Sequence, residues 1–185
     1  MPDATDHPNI DQALLLVVDV QGKLARLMDG AEAMIRQQQI LIDGCRLLDV
    51  PVVWAEQLPD KLGPTVPELA TRLEGLEPHA KSSFGCCGDA GLLAAIRASG
   101  RREIVLCGIE AHVCVWQTAA SLLRERYAVH LVCDAVSSRS SFNRDIAFRR
   151  MAAAGACLSN VEMVLFELMQ SAEHPRFREV AALLK

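Results

Sequence analysis

Short aliphatic runs alternate along this chain with longer stretches of helical periodicity, and this alternation limits the folds open to it. The clearest run, Ala13–Val18, holds six consecutive apolar residues and stops at Asp19. Such a run is typical of a strand that is buried on both faces, as in a parallel sheet. Five more short segments are interpreted as strands, at residues 51–56, 78–81, 104–107, 129–133 and 156–158. Strands that alternate with helices predict an α/β protein with three α/β/α layers and a Rossmann-like, six-stranded, mostly parallel sheet.

The size and charge of the chain restrict its organisation and its partners. Its 185 residues suit a single domain, 1–185, with a flexible start over residues 1–11. The net charge of −4 and the lack of a basic run argue against nucleic acid or an anionic membrane as a partner. No apolar stretch reaches the ~18 residues of a membrane-spanning helix, and the polar start is unlike a signal peptide. The seven cysteines form no disulfide framework, which favours a cytoplasmic location.

Three reactive side chains are predicted at the carboxyl ends of strands. Asp19 follows the first strand, Lys81 ends the third, and Cys114 comes shortly after the fourth. In parallel α/β folds the functional site lies beyond these strand ends, so the three side chains are expected to converge on one crevice. Cys114 is placed in the first turn of a helix, where free N–H groups and the helix dipole favour a thiolate. Each residue also has a structural alternative. Cys114 could be a small buried side chain, Asp19 a helix or loop cap, and Lys81 a surface charge.

A cysteine, a carboxylate and a lysine together suit acyl transfer. The thiol of Cys114 would attack an electrophilic carbon of a small-molecule substrate, and Asp19 would carry the thiol proton to the leaving group. The Lys81 ammonium would lower the pKa of the thiol and hold the carboxylate. We expect this chemistry to require no cofactor.

Three stretches of the chain resemble the motifs of the isochorismatase-like cysteine hydrolases, a family that includes nicotinamidases and N-carbamoylsarcosine amidases. They are LLVVDVQGKL at 15–24, HAKSSFG at 79–85 and LCGIEAHVCVWQTA at 106–119. Two further stretches, WAEQLPDKLGPTVPEL and VEMVLFELM, resemble the branch of isochorismatase domain-containing proteins. The resemblance covers most of the chain. It implies that Asp19 is the general base, Lys81 its partner and Cys114 the nucleophile.

The resemblance also implies how the turn before the nucleophile is built. A cis peptide bond would join Ile109 to Glu110, and the backbone N–H groups of Glu110 and Cys114 would form an oxyanion hole. Family members commonly associate. This agrees with the high apolar content of the chain and with the apolar faces of its last two predicted helices, so we expect a homo-oligomer.

The chain departs from the family pattern at two places. The turn before the nucleophile often contains threonine, where this sequence has Ala111. Metal-dependent relatives place an aspartate and two histidines after the second strand. Here Glu56 and Asp60 stand in that stretch without a histidine, so no metal site is expected.

The walls of the crevice are assigned to Gln57, Phe84 and Trp116, although Trp116 also fits the hydrophobic core. The adjacent cysteines Cys86 and Cys87 lack the spacing of a zinc or redox motif, and we interpret them as structural residues.

Three functions remain open from the sequence. The leading hypothesis is a hydrolase of C–N bonds in a small amide-like substrate, acting through a thioester on Cys114. The second is hydrolysis of an enol ether, as in isochorismatase itself, which requires Asp19 as an acid and not the thiol. The third is a non-catalytic regulatory or scaffold protein that retains the fold.

Overall fold

A parallel sheet of six strands forms the centre of the computed structural model, which describes residues 7–185. The strands are β1 (Ala13–Val18), β2 (Val52–Gln57), β3 (His79–Lys81), β4 (Glu103–Gly108), β5 (Ala128–Val136) and β6 (Cys157–Ser159). Their order across the sheet is β3-β2-β1-β4-β5-β6, and every neighbouring pair is parallel. The predicted α/β class is confirmed, and the sheet is wholly parallel.

Helices cover both faces of the sheet. They are α1 (Gly22–Arg26), α2 (Ala31–Leu47), α3 (Pro59–Leu62), α4 (Pro67–Ala70), α5 (Ala90–Ala98), α6 (Trp116–Arg124), α7 (Ser141–Ala153), α8 (Val161–Met169) and α9 (Phe177–Leu183). On one face α2 packs with α8 and α9, and on the other α6 packs with α7. This arrangement buries β1 along its whole length, which explains the unbroken aliphatic run.

Side-chain caps fix where several helices begin. Asp89 caps α5, since its carboxylate accepts a hydrogen bond from the N–H of Leu92 at 2.9 Å. Because β6 extends through Ser159, α8 is capped one residue later by Asn160, whose Oδ1 accepts from the N–H of Met163 at 2.9 Å.

The chain before β1 is only partly described. The predicted flexible start falls in part on residues 1–6, which lie outside the described residues. The backbone N–H of Asn9 donates to Glu103 Oε2 at 2.6 Å, which ties the chain before β1 to the beginning of β4. Across residues 7–185, no helix combines the length and the apolar character that crossing a bilayer would require.

Candidate active site

The candidate site lies where the strand order reverses. From β1 the chain adds β2 and β3 on one side, and it then returns to place β4 on the other. The ends of β1 and β4 pair in register through Val18 and Gly108. Gly108 has a φ of +126°, and a Cβ there would lie 2.2 Å from the Val18 carbonyl oxygen. Glycine therefore lets these two strand ends approach at the crevice that such a reversal creates.

Asp19 and Lys81 form a buried ion pair in this crevice. Lys81 Nζ lies 2.7 Å from Asp19 Oδ2, and the two side chains are 0% and 3% exposed. Asp19 directly follows β1 and has a φ of +56°, a conformation that aspartate tolerates better than most residues. Its second oxygen, Oδ1, is buried and accepts no hydrogen bond of ordinary geometry from any residue that the structure describes.

The Lys81 ammonium is surrounded by oxygen atoms. Besides Asp19 it donates to Gln57 Oε1 at 2.7 Å and lies near the carbonyl oxygens of Phe84, at 3.0 Å, and Ser83, at 3.2 Å. An ammonium has three N–H donors, so these acceptors use all of them. Lys81 is therefore positioned to hold the carboxylate of Asp19.

Cys114 lies in a π-helical turn, Ala111–Val115, that leads directly into α6. The N–H of Val115 donates to the carbonyl of Glu110 at 3.2 Å, the five-residue spacing of a π-turn. The sequence predicted the first turn of an ordinary helix instead. Such wide turns are rare and often lie at functional sites. Cys114 is 8% exposed, so the crevice leaves the residue narrowly accessible.

The predicted cis peptide bond between Ile109 and Glu110 is confirmed. The N–H of Glu110 donates no hydrogen bond to another described residue, and the N–H of Cys114 donates to none outside the turn. The N–H of Ala111, between them, is instead used by the carbonyl of Ser137 at 2.9 Å. Two N–H groups near the thiol are thus candidates to bind an anionic oxygen.

Burial dominates the ionisation of the site. It raises the pKa of the Asp19 carboxyl, while the charge and hydrogen bond of Lys81 act to lower it. It also raises the pKa of the Cys114 thiol, and the negative charge of Asp19 adds to this effect while Lys81 opposes it. The predicted effect of Lys81 on the pKa of the thiol is present, but desolvation outweighs it. The site combines a neutral thiol with a nearby carboxylate.

The loop after β5 supports the π-helical turn. Arg139 Nε lies 2.7 Å from Glu110 Oε1, and Ser138 Oγ lies 3.0 Å from His112 Nδ1. These contacts were not predicted from the sequence. The one indication was the serine-rich segment 137–141, which follows the end of a predicted strand at the same edge of the sheet as Cys114.

The three candidate wall residues have different surroundings. Gln57 is buried, and its amide is bonded to Lys81 and to the carbonyl of Ser82. Phe84 is 56% exposed, and its carbonyl faces Lys81. The ring of Trp116 lies under the guanidinium of Arg150, 4.2 Å from the ring centroid, and is partly buried.

Glu56, near the end of β2, and Asp60, which follows that strand, have different surroundings. Glu56 Oε1 accepts hydrogen bonds from both the N–H and the hydroxyl of Thr65, each at 2.7 Å, and so holds the following loop. Asp60 is exposed on α3. Within residues 7–185, no cluster of three or more histidine, cysteine, aspartate or glutamate side chains is placed to hold a metal.

Known proteins share this fold and much of this sequence. Residues 13–163 match the family described as the isochorismatase domain. Isochorismatase domain-containing protein 2 of Danio rerio is 39% identical over 173 residues, which is 93% of this chain and 86% of that protein. The solved MAR1 ribonuclease of Caenorhabditis elegans is 37% identical, with a TM-score of 0.91, over 97% of this chain and 92% of that one.

A more distant structure has the same architecture. The YcaC gene product of Escherichia coli, described as an octameric hydrolase of unknown specificity, is 25% identical, with a TM-score of 0.87. The match covers 96% of this chain and 87% of that one. Because the family match covers most of the chain, the protein belongs to the isochorismatase family.

Proposed function

We propose that this protein is a cysteine hydrolase that cleaves a C–N bond of a small amide-like substrate through a thioester on Cys114. The observation that carries the proposal is the buried Asp19–Lys81 pair, 2.7 Å between charged atoms, beside the thiol of Cys114. Membership of the isochorismatase family supports hydrolase activity at the coarser level.

The first half-reaction forms the thioester. Cys114 Sγ attacks the carbonyl carbon while its proton passes to Asp19, whose buried Oδ1 is available to accept it. The N–H groups of Glu110 and Cys114 bind the oxyanion of the tetrahedral intermediate. Asp19 then protonates the leaving nitrogen, the C–N bond breaks, and an amine departs.

The second half-reaction releases the acid. Asp19, ionised again, takes a proton from a water molecule that attacks the thioester carbon. The C–S bond breaks, the carboxylic acid leaves, and the Cys114 thiol recovers its proton from Asp19. Lys81 favours the ionised form of Asp19 between these steps, because its charge opposes the effect of burial on the pKa of that carboxyl.

A second candidate is the hydrolysis of an enol ether, with Asp19 as the acid. The raised pKa of the Asp19 carboxyl favours this candidate, because an acid catalyst must carry its proton near the working pH. The thiol has no role in that reaction. The two candidates therefore differ in their need for Cys114.

Assembly and location form part of the proposal. The octameric structure of the E. coli YcaC protein supports a homo-oligomer for this chain. All seven cysteines are free, including the partly exposed Cys87, Cys133 and Cys157, which supports a reducing, cytoplasmic location.

The test is a screen of the purified protein against amides, ureas, carbamoyl compounds and enol ethers. RNA is included because of the name of the C. elegans relative. With the best substrate, Cys114→Ala is expected to lower kcat by at least about 10³-fold, as for other enzymes that lose their nucleophile. Cys157→Ala, which removes a partly exposed thiol on β6, is the matched control and keeps full activity.

The outcomes separate the candidates. A covalent adduct with the mass of the acyl group on Cys114, seen by intact mass spectrometry during turnover, supports the thioester. Full activity of Cys114→Ala, with loss of activity in Asp19→Asn, supports enol-ether hydrolysis instead. Turnover of RNA alone contradicts both candidates.

A further inference from the structure

We infer that Gln57 is a positioning residue that holds the ammonium of Lys81 against Asp19, and that Gln21 in turn fixes Gln57. The inference rests on the proposed function, since it assigns these two glutamines to the same site. The sequence assigned Gln57 to the wall of the crevice, and in the structure its amide contacts Lys81 and the carbonyl of Ser82.

Strand register explains how Gln57 reaches Lys81. Gln57 and Lys81 are partners in the parallel pairing of β2 with β3, so both side chains leave the same face of the sheet. Gln57 Oε1 lies 2.7 Å from Lys81 Nζ, as close as Asp19 Oδ2. Among the described residues, these are the two side chains that accept from the ammonium; its other acceptors are backbone carbonyls.

The orientation of the Gln57 amide is determined by its neighbours. Its Nε2 donates to the carbonyl of Ser82 at 2.8 Å, which leaves Oε1 for Lys81. The Lys81 ammonium can only donate hydrogen bonds. If the Gln57 amide were flipped, its Nε2 donor would face this ammonium with no acceptor between them. Both ends of the amide are therefore bonded inside the protein.

Gln21 holds the backbone of Gln57 with its own side chain. Gln21 Oε1 accepts from the N–H of Gln57 at 2.6 Å, and Gln21 Nε2 donates to the carbonyl of Gln57 at 3.1 Å and to that of Gly63 at 2.7 Å. The amide thus replaces a neighbouring strand at the point where β1 has ended. Both glutamines are buried, so loss of these bonds would leave polar groups without water.

Hydrogen bonds thus connect Gln21 to Gln57, Gln57 to Lys81, and Lys81 to Asp19. The charge of Lys81 opposes burial at both Asp19 and Cys114. Electrostatic attraction falls as charges separate, so a loosely held ammonium would stabilise both anions less. Gln57 acts on the reaction through Lys81 without contacting the substrate.

Gln57→Met tests this inference, because methionine keeps the volume and shape of the side chain while losing its strong acceptor and its donor. The matched control is Gln38→Met. Gln38, on α2, is also buried, and its Nε2 donates to the carbonyl of Ala135 at 2.8 Å, outside the Lys81 network. Gln57→Asn is the second variant, since the shorter amide stays polar but does not reach Lys81 at the same distance.

The first readout needs no substrate. At about pH 9, iodoacetamide is expected to alkylate Cys114 at least about threefold more slowly in Gln57→Met than in the natural protein, a change of half a pKa unit. Peptide mass spectrometry of the same samples follows Cys157 as an internal reference. Gln38→Met is expected to leave the rate at Cys114 unchanged.

The second readout uses the substrate from the screen. Gln57→Met is expected to lower kcat by about 10–100-fold, as for other residues that orient a catalytic group, with little change in KM. The acidic limb of the kcat/KM profile should move to higher pH. Gln57→Asn should change in the same direction.

The outcomes distinguish the inference from the function on which it rests. If Gln57→Met and Gln57→Asn behave like Gln38→Met in alkylation, the positioning role is wrong whatever the enzyme hydrolyses. Slower alkylation in the Gln57 variants, with no hydrolysis of any substrate by the natural protein, would uphold the positioning role and contradict the proposed function.

Discussion

At the scale of single residues, Asp19 has two opposing influences on its charge. Burial raises the pKa of its carboxyl, and the ammonium of Lys81 is the main influence that lowers it. Cys114 and Glu56 are the other titratable neighbours, the first lowering this pKa and the second raising it. The net direction is upward, so removal of the water shell outweighs the ion pair.

The raised pKa of the Asp19 carboxyl leads to a prediction for the pH dependence of activity. In the proposed mechanism Asp19 is a base and acts only when ionised, so activity falls as the pH drops through its pKa. Because that pKa is raised, the acidic limb of kcat/KM is expected above the ordinary aspartate value of about 3.9. Lys81→Gln removes the charge that opposes burial and should move the limb to still higher pH.

The measurement is a pH–rate profile with the substrate from the screen. Lys23→Gln, at an exposed lysine on α1, is the matched control and should leave the limb in place. An acidic limb at or below the ordinary aspartate range would show that Asp19 is not the base.

At the scale of helices and strands, the sequence was informative where one strong pattern determines a structure. The unbroken aliphatic run before Asp19 is typical of a strand inside a parallel sheet, and it located β1 and the end of that strand together. The sequence also placed Lys81 at the carboxyl end of a short third strand, which is where β3 ends. The structure brings these two side chains together as expected.

The features that the sequence missed depend on the shape of a short turn, on contacts between distant segments and on the removal of water from buried groups. The π-helical turn at Cys114 differs from an α-helix by one residue over a single turn, which is too short for a periodic pattern. The role proposed for Gln57 rests on a contact between neighbouring strands and on the side chain of Gln21. The neutral state of Cys114 follows from desolvation, which depends on the surrounding packing rather than on position in the chain.

The contact between Glu56 and Thr65 gives a prediction at this scale. Glu56→Ala removes both bonds to Thr65, which tie the loop after β2 to the sheet. We expect faster amide hydrogen exchange at Thr65 and a loss of about 1–3 kcal/mol in the free energy of unfolding. Exchange mass spectrometry and urea titration measure these changes.

Asp60→Ala is the control for this variant, because Asp60 is an exposed carboxylate in the same loop. Metal content is measured in parallel. Activity of the natural protein that is lost with EDTA and restored by zinc, iron or manganese, but not restored in Glu56→Ala, would mean that Glu56 is a metal ligand rather than a loop anchor.

At the scale of the whole molecule, apolar side chains are exposed near the beginning of α7. Phe142 and Ile146 are 73% and 41% exposed and lie one helical turn apart. We call Phe142 and Ile146 the α7 patch. Large apolar side chains grouped in this way are typical of surfaces that associate.

The last prediction is that copies of this chain associate through the α7 patch. A second copy is the expected occupant, because the E. coli YcaC protein with the same fold is octameric. Sedimentation velocity at micromolar concentration should show a species larger than the 20.2 kDa monomer.

Phe142→Asp places a charge in the patch and should shift the protein toward monomers, because burying an unpaired carboxylate is costly. Met163→Asp, at a residue 48% exposed on α8, is the matched control. Monomers alone in the natural protein would contradict association, and dissociation by Met163→Asp but not by Phe142→Asp would assign the interface to α8 instead.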